Sequence, residues 1–183
     1  MRLQRDLDDG RSELLPGGRT RRLSVDASTT SGLAWATALI RPWARRTTSD
    51  AGGVVTGPAC SFTSELHQPG VQLDRDRFHI LDATTTLSSL LVDGKPDRDR
   101  FRTVIGTLVT DVSARAPAGL CVYGEMVGLL WEQRDAGSAI RLEEFWNELQ
   151  REVPFSLLCG YLLDGRTSNS DLDPIRRLHS HVT

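Results

Sequence analysis

The chain has 183 residues, 39% of them hydrophobic and 25% charged, with a formal net charge of −2. Such a composition suits a folded domain with a real core, and the near-neutral balance supplies no global field to attract nucleic acid or an anionic membrane. No run approaches the roughly 20 apolar residues that cross a bilayer, and the acidic residues ahead of the apolar stretch 32–40 (Asp6, Asp8, Asp9, Glu13) are wrong for a signal peptide. The three cysteines, Cys60, Cys121 and Cys159, show no metal-ligand spacing. Cys121 and Cys159 lie inside apolar runs and read as reduced core thiols, which suits a cytoplasmic protein.

Residues 1–65 are rich in Arg, Gly, Ser and Thr and lack steady apolar periodicity. Leu33, Trp35, Ala36, Leu39 and Ile40 fit one short helix stopped by Pro42. Residues 52–58 fit either a brief strand or an irregular loop. Arg19, Arg21, Arg22, Arg41, Arg45 and Arg46 read as a solvated arm rather than a nucleic-acid surface. The expectation for this third is a divergent or poorly structured segment.

From Phe78 onward, strand and helix signals alternate. Phe78-His79-Ile80-Leu81 reads as a strand, and Asp82 or Thr84 caps a helix over 85–92 with Leu87, Leu90 and Leu91 on its apolar face and Gly94 at its end. Pro96-Asp97 opens the next element. There Phe101, Val104, Ile105, Leu108, Val109 and Val112 recur at spacings of three and four, the strongest helix signal in the chain. Pro117 and Gly119 close that helix.

The central stretch follows. Leu120-Cys121-Val122-Tyr123 reads as a buried strand, Gly124 as a sharp turn, and residues 126–134 as a helix. A further helix over 138–152, capped by Ser138, carries Leu142, Phe145, Trp146, Leu149 and Val153 on one face and stops at Pro154. Residues 155–162 form a continuous apolar run, as in a strand buried on both faces. Strands separated by helical crossovers pair in parallel. The fold class is therefore α/β, with a small parallel sheet whose remaining one or two strands lie in the N-terminal third or are missing. The tail 165–183 is polar, with at most a turn or two of helix after Pro174; His179 and His181 could bind a metal, but two histidines on a free tail read rather as surface residues.

Glu125 stands at the exit of the central strand and at the start of a helix, where the partial positive charge of the helix end favours a carboxylate and where ligands of open α/β sheets bind. Asp82 occupies the same position after the preceding strand. The two carboxylates share one sheet edge if their strands are neighbours; each also has a plain structural role, as cap or dipole partner. Trp131, Phe145 and Trp146 fit either an apolar pocket or the core. A Cys159–His79 pairing would require the fold to bring them together.

Gly124-Glu125-Met126-Val127, Leu129-Leu130-Trp131, Leu142-Glu143-Glu144, Trp146-Asn147-Glu148-Leu149 and Pro154-Phe155-Ser156-Leu157-Leu158-Cys159-x-Tyr161 resemble the MEDS domain, the sensory domain of methanogens and methylotrophs. Leu81-Asp82-Ala83, Thr86-Leu87, Pro96-Asp97 and Phe101-Arg102 agree with it, so the likeness runs over about 66–164. The front strands usual in that family are not found in residues 1–65. The resemblance implies a RecA/KaiC-derived α/β sensor, flanked by an N-terminal segment 1–65 and a tail 165–183. It implies a small-molecule ligand and a regulatory protein partner such as a histidine kinase or transcription regulator. No kinase or DNA-binding segment follows residue 164, so the expectation is that the chain signals through a separate protein or is a fragment.

Asp82, Tyr123, Glu125, Met126 and Trp131 are assigned to ligand binding; no catalytic residue, metal ligand or cofactor is assigned, and neither nucleic acid nor membrane is expected as a partner. The alternative is a RecA-like nucleotide-binding protein or ATPase remnant using Glu125. Against it, the chain contains no Gly-x-x-x-x-Gly-Lys-Ser/Thr loop to cradle phosphates.

Overall fold

A computed structural model describes residues 21–26, 52–57, 78–117, 119–162 and 169–182. Its strands are β1 (Arg21–Asp26), β2 (Gly52–Gly57), β3 (Phe78–Asp82), β4 (Leu91–Val92), β5 (Lys95–Pro96), β6 (Leu120–Gly124), β7 (Ser156–Leu162) and β8 (His181–Val182). Six of them form one sheet in the order β3-β2-β6-β7-β1-β8, and every pairing in it is parallel. The α/β class and the parallel sheet with helical connections are as expected.

The sheet is larger than the three strands read downstream of Phe78, because two more lie in the N-terminal third and one, β8, in the tail. Residues 52–57 are a strand, not a loop: Val54, Val55 and Thr56 are β-branched and suit a pleated surface. Val55 sits between Ile80 of β3 and Tyr123 of β6. Arg21 and Arg22 open β1 opposite Leu157 and Leu158, so the backbone of these two belongs to the sheet and not to a loose arm. The helix expected around Leu33–Ile40, together with Arg19, Arg41, Arg45, Arg46 and Cys60, lies outside the described residues.

Helix α1 (Ala83–Leu90) is capped by Asp82, whose Oδ1 accepts from the Thr85 amide at 2.8 Å. It stops two residues earlier than its apolar pattern suggests. Asp93 (φ +49°) and Gly94 (φ +75°) turn the chain back so that β4 pairs antiparallel with β5, the hairpin an Asp-Gly pair favours. Helix α2 comprises Arg98–Phe101, a π-helical stretch Arg102–Gly106, and Thr107–Ala114, with Asp97 as its cap. The wider π turn changes the register of the apolar face: Phe101, Ile105, Val109 and Val112 are buried, but Val104 is exposed.

Helices α3 (Met126–Glu132) and α4 (Ala136–Glu152) separate β6 from β7. Asp135 caps α4 in place of the expected Ser138, accepting from the Ser138 amide (3.1 Å) and hydroxyl (2.7 Å). A carboxylate at this end also meets the helix dipole, and Lys95 of the hairpin holds it at 2.7 Å. Leu142, Phe145, Trp146 and Leu149 are buried as their spacing indicates. Trp146 packs edge-on against Phe101 (5.0 Å) and Phe155 (6.1 Å), so Phe145 and Trp146 belong to the core. On the outer side, Arg98 and Arg102 of α2 pair with Glu148 and Glu152 of α4.

The tail is more ordered than its polarity suggests. Helix α5 (Asn169–Arg176) contains Pro174 and buries Leu172 and Ile175. β8 then extends the sheet beside β1.

Two outcomes follow from this packing. A Cβ added at Gly128 of α3 would lie 2.6 Å from the Gly160 carbonyl oxygen of β7, so Gly128→Ala is expected to cost about 1–3 kcal/mol in urea unfolding; an unchanged midpoint would show that α3 is not seated on β7. Asp135 is held at about 2, chiefly by the hydrogen bond from Lys95 and then by Ser138. Its contribution to stability is present above the ordinary 3.8 and lost as pH falls through about 2. Asp135→Asn is therefore expected to flatten the acid limb of the stability curve between those values, and an unchanged acid limb would contradict the assignment.

Candidate functional site

Glu125 follows the last residue of β6 directly and occupies the N-cap position of α3, with helical backbone angles (φ −105°, ψ −7°). Its side chain makes no capping bond. It turns instead to Tyr123, whose hydroxyl donates to Oε1 at 2.6 Å. The helix-end role expected for this carboxylate is thus not exercised through a hydrogen bond. Gly124 does not have the left-handed backbone expected of a sharp turn; among the described glycines that conformation belongs to Gly94 and Gly119.

Burial sets the chemistry of the pair. It pushes the Glu125 carboxyl up, the Tyr123 hydrogen bond opposes this, and the nearby Glu132 charge adds to it. The Tyr123 phenol is pushed well above its usual range, first by burial and then by the charge and hydrogen bond of Glu125. Tyr123 is therefore a neutral donor, and Glu125 is a half-buried acid whose charged form is disfavoured by burial and favoured by the phenol.

The floor beneath the pair is β7. A Cβ at Gly160 would lie 2.8 Å from the Tyr123 hydroxyl and 3.6 Å from Cγ of Glu125. Gly160 thus leaves the space that the phenol fills, while its carbonyl receives α3 at Gly128. Trp131, half-buried on α3, meets the Tyr161 ring edge-on at 5.9 Å.

The other two assigned residues do not join this arrangement. Met126 is fully buried in the core. Asp82 caps α1 on β3, and β2 stands between β3 and β6. Two strand spacings, roughly 10 Å, therefore separate the exits of Asp82 and Glu125.

A second polar cluster lies on the opposite side of β7. Glu143 of α4 has no exposed surface. Its Oε1 accepts from the Tyr161 hydroxyl at 2.8 Å, and its Oε2 lies 3.5 Å from Cys159 Sγ. His179 Nε2 is 3.4 Å from Oε1, and neither side chain reaches solvent. Cys159 therefore meets His179, and His179 is not a surface residue. A signal for Glu143 exists in the sequence: Ala139, Glu143, Trp146 and Gln150 form one helical stripe at spacings of four, three and four, and all four are buried. No local signal brings His179 to them.

These features define a parallel α/β domain with one half-buried and one fully buried carboxylate, each held by a tyrosine, on either side of one central strand. Residues 61–180 match the family described as the methanogen/methylotroph, DcmR sensory domain, MEDS. The match covers well over half of the chain, takes in α5 and His179, and makes the protein a member of that family. Among curated proteins and solved structures nothing matches the chain.

The Tyr123–Glu125 pair has a readable consequence. A raised carboxyl contributes stability fully present below the ordinary 4.5 and lost as pH rises through its folded value. Removing the phenol in Tyr123→Phe takes away the bond that favours the carboxylate. The Glu125 midpoint, followed by carboxyl-carbon NMR, is expected to move higher still; a fall or no change would remove Tyr123 as its controlling partner.

Proposed function

We propose that this protein is a non-catalytic sensory module that binds a small molecule at the exit of β6 and passes the change to a regulatory protein partner such as a histidine kinase or transcription regulator. Membership of a sensory-domain family supports the role. The observation that carries the site is the half-buried Glu125 carboxylate at the carboxyl edge of the sheet. The strand order reverses there: β2 is followed along the chain by β3 on one side, and β6 by β7 on the other. Crevices in open α/β sheets form at such reversals. A carboxyl of raised affinity for protons, held by one phenol, favours a ligand that donates a hydrogen bond or carries positive charge.

Among the described residues no helix is long and apolar enough to cross a membrane, which fits a cytoplasmic receptor. The all-parallel sheet with helical crossovers is compatible with descent from a RecA/KaiC-type domain. The Gly-x-x-x-x-Gly-Lys-Ser/Thr loop that would anchor a nucleotide is not in the chain, so the proposal is a receptor in place of an ATPase.

A thermal-shift screen of small neutral and cationic compounds tests this. A true ligand at about 100 times its Kd stabilises by about 2.7 kcal/mol, or roughly 5–10 °C for a domain of this size. The shift is expected to vanish in Glu125→Gln and persist in Glu132→Gln. A ligand whose shift ignores Glu125→Gln would move the site elsewhere, and a comparable shift with ATP and Mg²⁺ would favour the nucleotide reading.

A further inference from the structure

We propose that Glu143, Cys159 and His179 bind a transition-metal ion of the zinc class. The carboxylate, thiol and imidazole come from α4, β7 and the segment between α5 and β8, and their donor atoms lie within 4.8 Å of one another. All three side chains are withdrawn from solvent.

His179 carries the argument. Its Nδ1 is 2.8 Å from the Ile175 carbonyl oxygen. A carbonyl only accepts, so Nδ1 bears the hydrogen and Nε2 of the neutral ring presents a lone pair. That Nε2 is buried and has no hydrogen-bond partner among the described residues, yet it faces a carboxylate oxygen at 3.4 Å. Two electron-rich atoms facing each other in a dry site require positive charge between them. A metal ion meets that requirement for Glu143 and His179 together, with the Cys159 sulfur within reach as a third donor.

The surroundings are those of a ligating set. A metal-bound imidazole donates its other N–H to a carbonyl or carboxylate, and a ligating carboxylate is itself hydrogen-bonded. Ile175 and Tyr161 fill these two roles. One sulfur, one nitrogen and one oxygen suit a tetrahedral zinc-type ion and disfavour magnesium or calcium. Three protein ligands leave a fourth position for a non-protein donor. Binding replaces the thiol proton of Cys159 with the metal, and that proton passes to solvent. The competing account is a proton in place of the metal, giving a buried His179–Glu143 ion pair.

The test is a titration of the full-length, tag-free protein with Co²⁺ after treatment with a chelator, followed by displacement with Zn²⁺. One equivalent of Co²⁺ is expected to give visible d–d bands and a near-ultraviolet thiolate-to-cobalt band, both bleached by Zn²⁺. The thiolate band should disappear in Cys159→Ser, weaken in His179→Gln, and persist in a Cys60→Ser/Cys121→Ser variant. One equivalent of Zn²⁺ should also raise the melting temperature of the wild-type protein, with reversal by chelator. A wild-type protein that shows neither the bands nor the melting shift would overturn the metal site in favour of the ion pair, whatever the folding of the variants. Loss of the thiolate band only when Cys60 and Cys121 are replaced would overturn it equally.

Discussion

Burial of charge-bearing groups against a single strand is the constraint on which the rest of this structure depends. Residues 159–161 of β7 are Cys-Gly-Tyr, and alternation along a strand sends Cys159 and Tyr161 to one face and the open side of Gly160 to the other. On the first face they meet Glu143. On the second, the space above Gly160 holds the Tyr123 hydroxyl and the stem of Glu125. Withdrawing a carboxylate from water costs several kcal/mol unless it gains a compensating partner. Each of these two gains a phenol on β6 or β7, and the two central strands are fixed relative to each other by eight paired residues.

The helices follow from the same strand. Gly128 lets α3 approach the Gly160 carbonyl more closely than any side chain would permit. That approach sets the start of α3, hence Glu125, and carries Trp131 onto Tyr161. Tyr161 is thus touched by the helix that follows Glu125 and bonded to the carboxylate of α4. A ligand or proton at Glu125 and a cation at Glu143 would act on opposite faces of three adjacent residues. This proximity is a physical route for one to influence the other, although coupling itself requires an element with two discrete arrangements.

Much of the fold was legible because it is periodic. The apolar faces of α1 and α4 and the double-sided burial of β7 can be read from spacing alone, as can Asp82 and Asp97 at helix starts. β1 and β2 were harder. Each is six residues long and set among Arg, Ser, Thr and Gly, and each finds its partners at sequence distances that no local pattern encodes. The π turn in α2 hid in a run that matches an ordinary helix, and only the exposure of Val104 betrays it. At the site, Glu125 was legible from its position after a strand, but its bond to Tyr123 depends on the missing side chain of Gly160 one strand away. Met126 and Asp82 have the same local signature as site residues, and tertiary placement assigns one to the core and the other to a cap.

The tail shows why polarity is a poor guide to order. Residues 169–176 have few apolar side chains, yet Leu172 and Ile175 suffice to dock α5, because they lie three apart on one helical face. Docking brings the Ile175 carbonyl to His179 and fixes the imidazole with Nε2 toward Glu143. Two residues later the chain pairs His181 and Val182 with Arg22 and Leu23 of β1. A two-residue strand has too few hydrogen bonds to hold an edge by itself. His179, just ahead of it, supplies a second point of attachment, its buried imidazole lying 3.4 Å from the Glu143 carboxylate of α4.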